Sequence, residues 1–264
     1  MGSSYEEHRP RHAPGRHVAC LWTQVNTGPR EHRQLVVPDG CVDLLWRDGE
    51  VQLVGPDRAA WLAPLPAGAA IAGLRLRPGS APLLLGRMPA DEVRDLRVPL
   101  AEVAAEAASG GGNLTALAEQ LAASGSARQA AGILDEYVAA LAHRYQADEA
   151  VARAISELSR TKIPAVPDLA EHAGLSERQL RRRFTSAVGY APKTLHAVLR
   201  FQYALRLGRT SDGRLAEVAH EAGYADQAHF TREVRRLAGT TPGVLLGTDR
   251  RPGTPAGPGG RGSG

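Results

Sequence analysis

The feature that most constrains this chain is that it states one pattern twice. EHAGLSERQLRRRFTSAVG at 171–189 and HEAGYADQAHFTREVRRLAG at 220–239 align almost residue for residue. Ala173-Gly174 matches Ala222-Gly223 at an offset of 49, while Leu180, Phe184, Gly189 and Pro192 match Phe230, Val234, Gly239 and Pro242 at an offset of 50, so one residue has been added in the second turn. In the first copy Leu169, Ala170 and Ala173 form the inner face of a short helix that ends at Gly174. Ser176 and Gln179 then make a capping box that opens a second helix, with Leu180, Phe184 and Val188 inward. In the second copy Ala225 stands where a small capping residue is common, so Asp226 must cap the helix. Two short helices joined by a glycine-containing turn are the helix-turn-helix pattern, whose second helix enters the DNA major groove. Between the copies, LHAVLRFQYALRLGR at 195–209 reads as one amphipathic helix. Two readers on one strut can address successive major grooves, about 34 Å apart.

Charge follows the repeat. Residues 161–250 hold 14 Lys/Arg against 9 Asp/Glu, whereas residues 1–160 carry a net charge of −3 within a total of +4. Positive charge confined to one segment points to a polyanionic partner for that segment. Only Cys20 and Cys41 are present, which excludes a disulfide scaffold and a four-cysteine zinc site within the chain. No run of about 18 apolar residues could span a bilayer. MGSSYEEHRPRHAPGR lacks the apolar segment of a secretory signal, so a cytoplasmic setting with no membrane partner is expected.

The expected class is α+β. Residues 1–16 read as a flexible arm because of their Pro, Gly and Arg content. HVACLWTQV (17–25), RQLVVP (33–38), CVDLLWR (41–47), VQLVG (51–55) and AAIAGLRLRPG (69–79) read as short strands within a β-rich domain at 17–98. Asp48-Gly49 marks a hairpin, because both central residues of the favoured turn need positive φ. Residues 99–160 read as helices at 99–108, 113–123, 126–146 and 149–160, forming a linker and dimerisation region. Ala130, Ile133, Leu134, Tyr137, Val138, Leu141 and Tyr145 make one apolar stripe that must be covered, by the chain's own core or by a second copy. A homodimer would place Ile133, Tyr137 and Leu141 at its seam. The domain boundary falls between about 146 and 163, the reader occupies 161–247, and the Gly/Pro/Arg-rich tail 248–264 is expected to be disordered.

LAEHAGLSERQLRRRF (169–184), GYAPKTLHAVLRFQYAL (189–205) and HEAGYADQAHFTREVRRLAGTTP (220–242) together resemble the DNA-binding domain of AraC/XylS-type transcription regulators. LVVPDGCVDLLW (35–46) and LRLRPGSA (74–81) more weakly resemble the sensor domains that precede it in some family members. The resemblance implies double-stranded promoter or operator DNA as partner, a small-molecule effector, no cofactor, metal or catalysis, and RNA polymerase as a further partner. By the family's geometry, Arg178, Arg181, Arg182, Gln227, His229 and Arg232 face base edges. Arg183, Lys193, Thr231, Arg235 and Arg236 are expected at phosphates. Arg suits guanine O6/N7 and Gln suits adenine N6/N7, while phosphate contacts fix register without reading sequence.

In the β-rich part, alternation puts Cys41, Asp43, Leu45 and Arg47 on one face of a strand and Val42, Leu44 and Trp46 on the other. Trp22, Cys41, Asp43, Trp46, Trp61 and Arg75 are the candidates for an effector pocket. Two alternatives stand beside the regulator. One is a DNA-repair alkyltransferase using Cys41, which would need an activated cysteine; the other is a reader with a purely structural dimerisation domain.

Overall fold

The computed structural model describes residues 2–106, 113–159, 166–210 and 214–247. The expected tail at 248–264 and residues 160–165 lie outside the described residues. The β-rich part is a six-stranded antiparallel sheet in the order β1-β2-β7-β4-β5-β8, with a second two-stranded sheet of β3 and β6. These strands are β1 (Ser3–His8), β2 (Val18–Asn26), β3 (His32–Val36), β4 (Val42–Arg47), β5 (Glu50–Val54), β6 (Trp61–Leu65), β7 (Ala70–Leu76) and β8 (Arg97–Pro99). The Asp48-Gly49 turn joins β4 to β5 with φ values of 52° and 84°, the pair of positive angles its type requires.

Helices α1 (Pro82–Leu85), α2 (Leu100–Glu106), α3 (Leu114–Ala122) and α4 (Ala127–Ala142) pack with the large sheet, and α4 lies across β7, β2 and β4. Strand alternation sends Leu21, Leu44, Leu74 and Leu76 toward α4, whose Ala130, Leu134 and Val138 are fully covered. Each such Leu or Val stabilises the fold by about 1.5–3 kcal/mol. Trp22 and Ile71 point the other way, where Leu65 of β6 covers them. The apolar stripe of α4 is therefore mainly core, and Ile133, Tyr137 and Leu141 are half-buried along its flank.

Residues 3–13, within the segment expected to be a flexible arm, are tied to the rest of the fold. β1 pairs with β2 along its whole length, and the backbone N–H groups of Arg11, His12 and Ala13 donate to the Asp135 carboxylate at 2.8, 2.9 and 3.1 Å. Asp135, on α4, is 1% exposed. A local reading sees only the Pro and Arg of the arm; its partners are far away in sequence.

Helix α5 (Glu149–Leu158), expected in the linker region, packs Val151, Ala154 and Leu158 against Leu169, Leu180 and Phe184. It belongs to the core of the first helix-turn-helix unit.

Candidate nucleic-acid interface

The first unit is α6 (Val166–His172) and α7 (Glu177–Val188), joined through Gly174 at a φ of +67°. The expected capping box is formed: Ser176 Oγ accepts from the Gln179 N–H at 3.3 Å, and Gln179 Oε1 accepts from the Ser176 N–H at 2.9 Å. The strut is α8 (Pro192–Thr210), and the second unit is α9 (Leu215–Glu221) with α10 (Gln227–Ala238). Asp226 caps α10, accepting from the His229 N–H at 2.6 Å, as the departure at Ala225 required. Phe184, Phe201 and Phe230, the chain's three phenylalanines, are all fully buried, one in each recognition helix and one in the strut. The readers are thus two small cores hung on one helix.

The outward face of α10 carries Gln227, Ala228, Thr231, Arg232 and Arg235. At the offset of 50 these correspond to Glu177, Arg178, Arg181, Arg182 and Thr185 of α7. Arg178, Arg181, Arg182 and Thr185 do share an outward groove. Arg178, Arg181, Arg182, Gln227 and Arg232 are all exposed.

His229 does not share that face. Its ring meets Tyr224 edge-on at 5.3 Å, and its Nε2 is 3.8 Å from Glu233. Its equivalent in the first copy is Gln179, which is occupied with the cap. By helical periodicity His229 lies roughly 130° around α10 from the centre of the outward face. Thr231 and Arg235, expected at phosphates, stand on the outward face itself.

Arg183 is occupied within the fold. Its guanidinium forms a two-point pair with Asp148, Nε to Oδ2 at 2.6 Å and Nη2 to Oδ1 at 2.7 Å, instead of standing free for a phosphate. Asp148 caps α5 through the N–H groups of Ala150 and Val151. Burial alone would raise this carboxyl, but the Arg183 hydrogen bond and the helix N–H donors outweigh it and hold it below the ordinary carboxylate value. Lys193 is exposed in the first turn of α8, and Arg236 is exposed on the flank of α10.

Two arrangements were not foreseen. Arg200 of the strut pairs with Glu233 of α10 at 2.9 and 3.0 Å and stacks on the Tyr224 ring at 4.3 Å, so a partly buried ionic joint fixes the second recognition helix to the strut. The signal for it was a lone acidic residue among the arginines of α10. The second arrangement joins the halves of the molecule. The Ala90 N–H donates to the Ser186 carbonyl at 2.7 Å, and Arg94 Nη1 donates to the Gly189 carbonyl at 2.9 Å. The Ala60 N–H donates to the Leu237 carbonyl at 2.7 Å, Gln202 donates to the Pro38 carbonyl at 2.6 Å, and the Tyr190 hydroxyl donates to the Asp57 carbonyl. Helix C-termini leave carbonyls without intrahelical partners, and here the β-rich domain satisfies one on each recognition helix.

The six effector candidates do not converge. Arg75 is paired with Asp43 at 3.0 and 2.9 Å and lies 3.3 Å from Asp39, on the face that also holds Trp22. The Cys41 N–H donates to Asp39. Trp46 packs on the opposite face with the α4 core, as alternation along β4 requires, and Trp61 lies beneath the Arg97 guanidinium at 4.0 Å. Trp22 covers Gly73, where a Cβ would fall 2.1 Å from the indole. Burial pushes the Cys41 thiol well above its ordinary value, with the Asp39 charge adding to the effect, and pushes Cys20 up to about 11. Among the described residues no group of three or more His, Cys, Asp or Glu could hold a metal ion, and no helix is long and apolar enough to cross a membrane.

The family described as a helix-turn-helix domain matches residues 169–247, the span of both units, and a domain of unknown function matches residues 6–99. A Streptomyces lividans protein named for AraC-like transcription regulation is 33% identical over 99 residues, 37% of this chain and 33% of its own length. The C-terminal domain is an AraC-type helix-turn-helix domain. The HTH-type transcriptional regulator GlxA of Rhizobium meliloti is 31% identical over 107 residues, 39% of this chain and 33% of that protein. The chain thus spans about a third of the length of these relatives. ToxT from Vibrio cholerae, solved with an unsaturated fatty acid bound, covers 93% of this chain and 95% of its own at 11% identity and a TM-score of 0.40. What the AraC-type domain fixes is the arrangement of two readers on one strut.

Proposed function

We propose that this chain is a sequence-specific, double-stranded DNA-binding transcription regulator without catalytic activity. The observation that carries the reading is the repeated outward face: the same helical positions of α7 and α10 present Arg178, Arg181 and Arg182 in one reader and Gln227, Thr231, Arg232 and Arg235 in the other. In this reading those side chains meet base edges and the phosphates directly beside them, while Lys193 and Arg236 bind backbone phosphates further out. Selection of duplexes from a randomised pool by the full-length chain tests it. Two conserved half-sites about one helical turn apart are expected. Enrichment of no motif, with binding that is only salt-sensitive, would overturn it.

Division into a β-rich unit up to about residue 146 and a reader from about 147 to 247 follows from the place of α5 in the reader's core. The β-rich unit is the seat of a small-molecule effector, bound on the face that carries Trp22, Asp43 and Arg75 rather than around Trp46. An effector alters DNA affinity only by the difference in its own affinity for the two states, and the contacts to Ser186 and Leu237 offer the route. Tryptophan fluorescence that does not respond to ligands able to change DNA affinity would overturn this part. The regulator is further proposed to act as a homodimer through the half-buried Ile133, Tyr137 and Leu141, with RNA polymerase as partner. Tyr137→Glu should leave a monomer by sedimentation, and a wild-type chain that is already monomeric at micromolar concentration would remove the dimer. Alkyl transfer through Cys41 has less support, because a nucleophilic cysteine is activated by a lowered pKa and this thiol is raised.

A further inference from the structure

We propose that the β-rich domain touches DNA itself, through Arg87, which binds a backbone phosphate of the strand lying beside α7. The inference rests on the DNA-reading role proposed above. A groove of about 1020 Å³ runs along α7, with Arg178, Arg181 and Arg182 on one wall and the segment 86–91 on the other. Arg87 is exposed in that second wall, and none of these four arginines has an ion pair among the described residues. Two acidic groups line the same groove. Asp148 is neutralised by its two-point pair with Arg183, which leaves Asp91 as the single opposing charge. The groove therefore has an excess of guanidinium groups suited to a polyanion.

Arg87 is also held in register with the reader. Gly86, at a φ of 59°, closes α1 by donating its N–H to the Pro82 carbonyl at 2.8 Å. Met88 N–H donates to Leu85 at 3.0 Å, and Ala90 N–H donates to Ser186 of α7 itself at 2.7 Å. The segment is pinned at both ends, once to its own helix and once to the recognition helix. A helix inserted in a major groove is flanked by the two phosphate backbones, and a cation fixed beside the helix rather than on its reading face meets phosphate, not bases. The β-rich domain would then supply affinity and register that an isolated AraC-type domain lacks.

The test uses the full-length chain and a duplex selected by the wild type, with binding followed by fluorescence anisotropy between 50 and 200 mM salt. Arg87→Ala should weaken binding about fivefold near 0.15 M salt and reduce the slope of log affinity against log salt by about 0.9, the loss of one phosphate contact. Base preference and melting temperature should stay unchanged, and Arg87→Glu should weaken binding further. Wild-type affinity and slope in both variants would overturn the proposal. So would tighter binding by either, which would make segment 86–91 an obstruction to DNA entry. Arg182→Ala on the same duplex separates the two readings: if it weakens binding while both Arg87 variants keep wild-type affinity and salt slope, the reader stands and the Arg87 contact falls. A wild-type chain that binds no duplex overturns both.

Discussion

Replacing Glu233 by Leu tests the joint that holds the second recognition helix to its strut. The wild-type carboxylate accepts two hydrogen bonds from the Arg200 guanidinium at 2.9 and 3.0 Å and one from the Tyr224 hydroxyl at 3.4 Å. The Arg200 and Glu233 side chains are 17% and 11% exposed, so the pair is largely removed from water. Breaking a buried ion pair from one side costs about 3–5 kcal/mol, because the remaining charge is left without a partner. Here the guanidinium keeps its stack on Tyr224 and some access to water, which places the loss at the low end, about 3 kcal/mol. For a chain of this size that corresponds to a fall in melting temperature of roughly 6–12 °C. The assay is a double-mutant cycle with Arg200→Met, Glu233→Leu and the pair of them, read by urea denaturation. The single changes should each destabilise strongly, and the double variant should recover much of the loss. A coupling energy below about 0.5 kcal/mol, the level seen between independent sites, would refute the joint.

Arg232→Ala should cost about 1–3 kcal/mol at the cognate site and relax preference at one base pair, whereas His229→Ala should leave base preference intact in competition binding against site variants. Asp135→Ala removes the acceptor of three backbone N–H groups and should destabilise the chain by about 3 kcal/mol while releasing residues 3–13 to fast hydrogen exchange. Gly73→Ala forces a Cβ to within 2.1 Å of the Trp22 ring and should cost about 1–3 kcal/mol, with a shift in tryptophan emission that marks displacement of the indole. Burial lowers His17 and His196 below the ordinary histidine value, so the unfolded chain takes up protons first as pH falls. Stability should therefore be lost below about pH 6.5, and melting curves at pH 7.5 and 5.5 should show the lower transition at 5.5.

The reader was legible in the sequence because its evidence is local and doubled. A capping box, a glycine turn and an inward Leu or Phe each act within a few residues, and the second copy checks the first. Carrying Arg178, Arg181 and Arg182 across at the offset of 50 leads to Ala228, Thr231 and Arg232, and not to His229. Arg183 shows the reach of a partner distant in sequence. Charge and exposure on a helix wheel suit a phosphate, but the partner that claims the guanidinium, Asp148, comes from a helix 35 residues earlier. Strand β1 and the carboxylate of Asp135 were hidden in the same way, since a Pro- and Arg-rich segment looks unstructured until the edge of β2 and a buried acid on α4 are brought beside it. Alternation correctly separated Trp46 from Asp43 along β4. Grouping both in one pocket ignored the parity that the strand itself displayed.

The bonds from Ala60 to Leu237 and from Ala90 to Ser186 run between main-chain atoms alone. An alanine scan would leave both bonds in place, since neither donor nor acceptor belongs to a side chain. Only a residue that removes the amide hydrogen reaches such a linkage, so Ala60→Pro and Ala90→Pro each delete one of these bonds while the Arg94–Gly189 and Tyr190–Asp57 contacts stay in place.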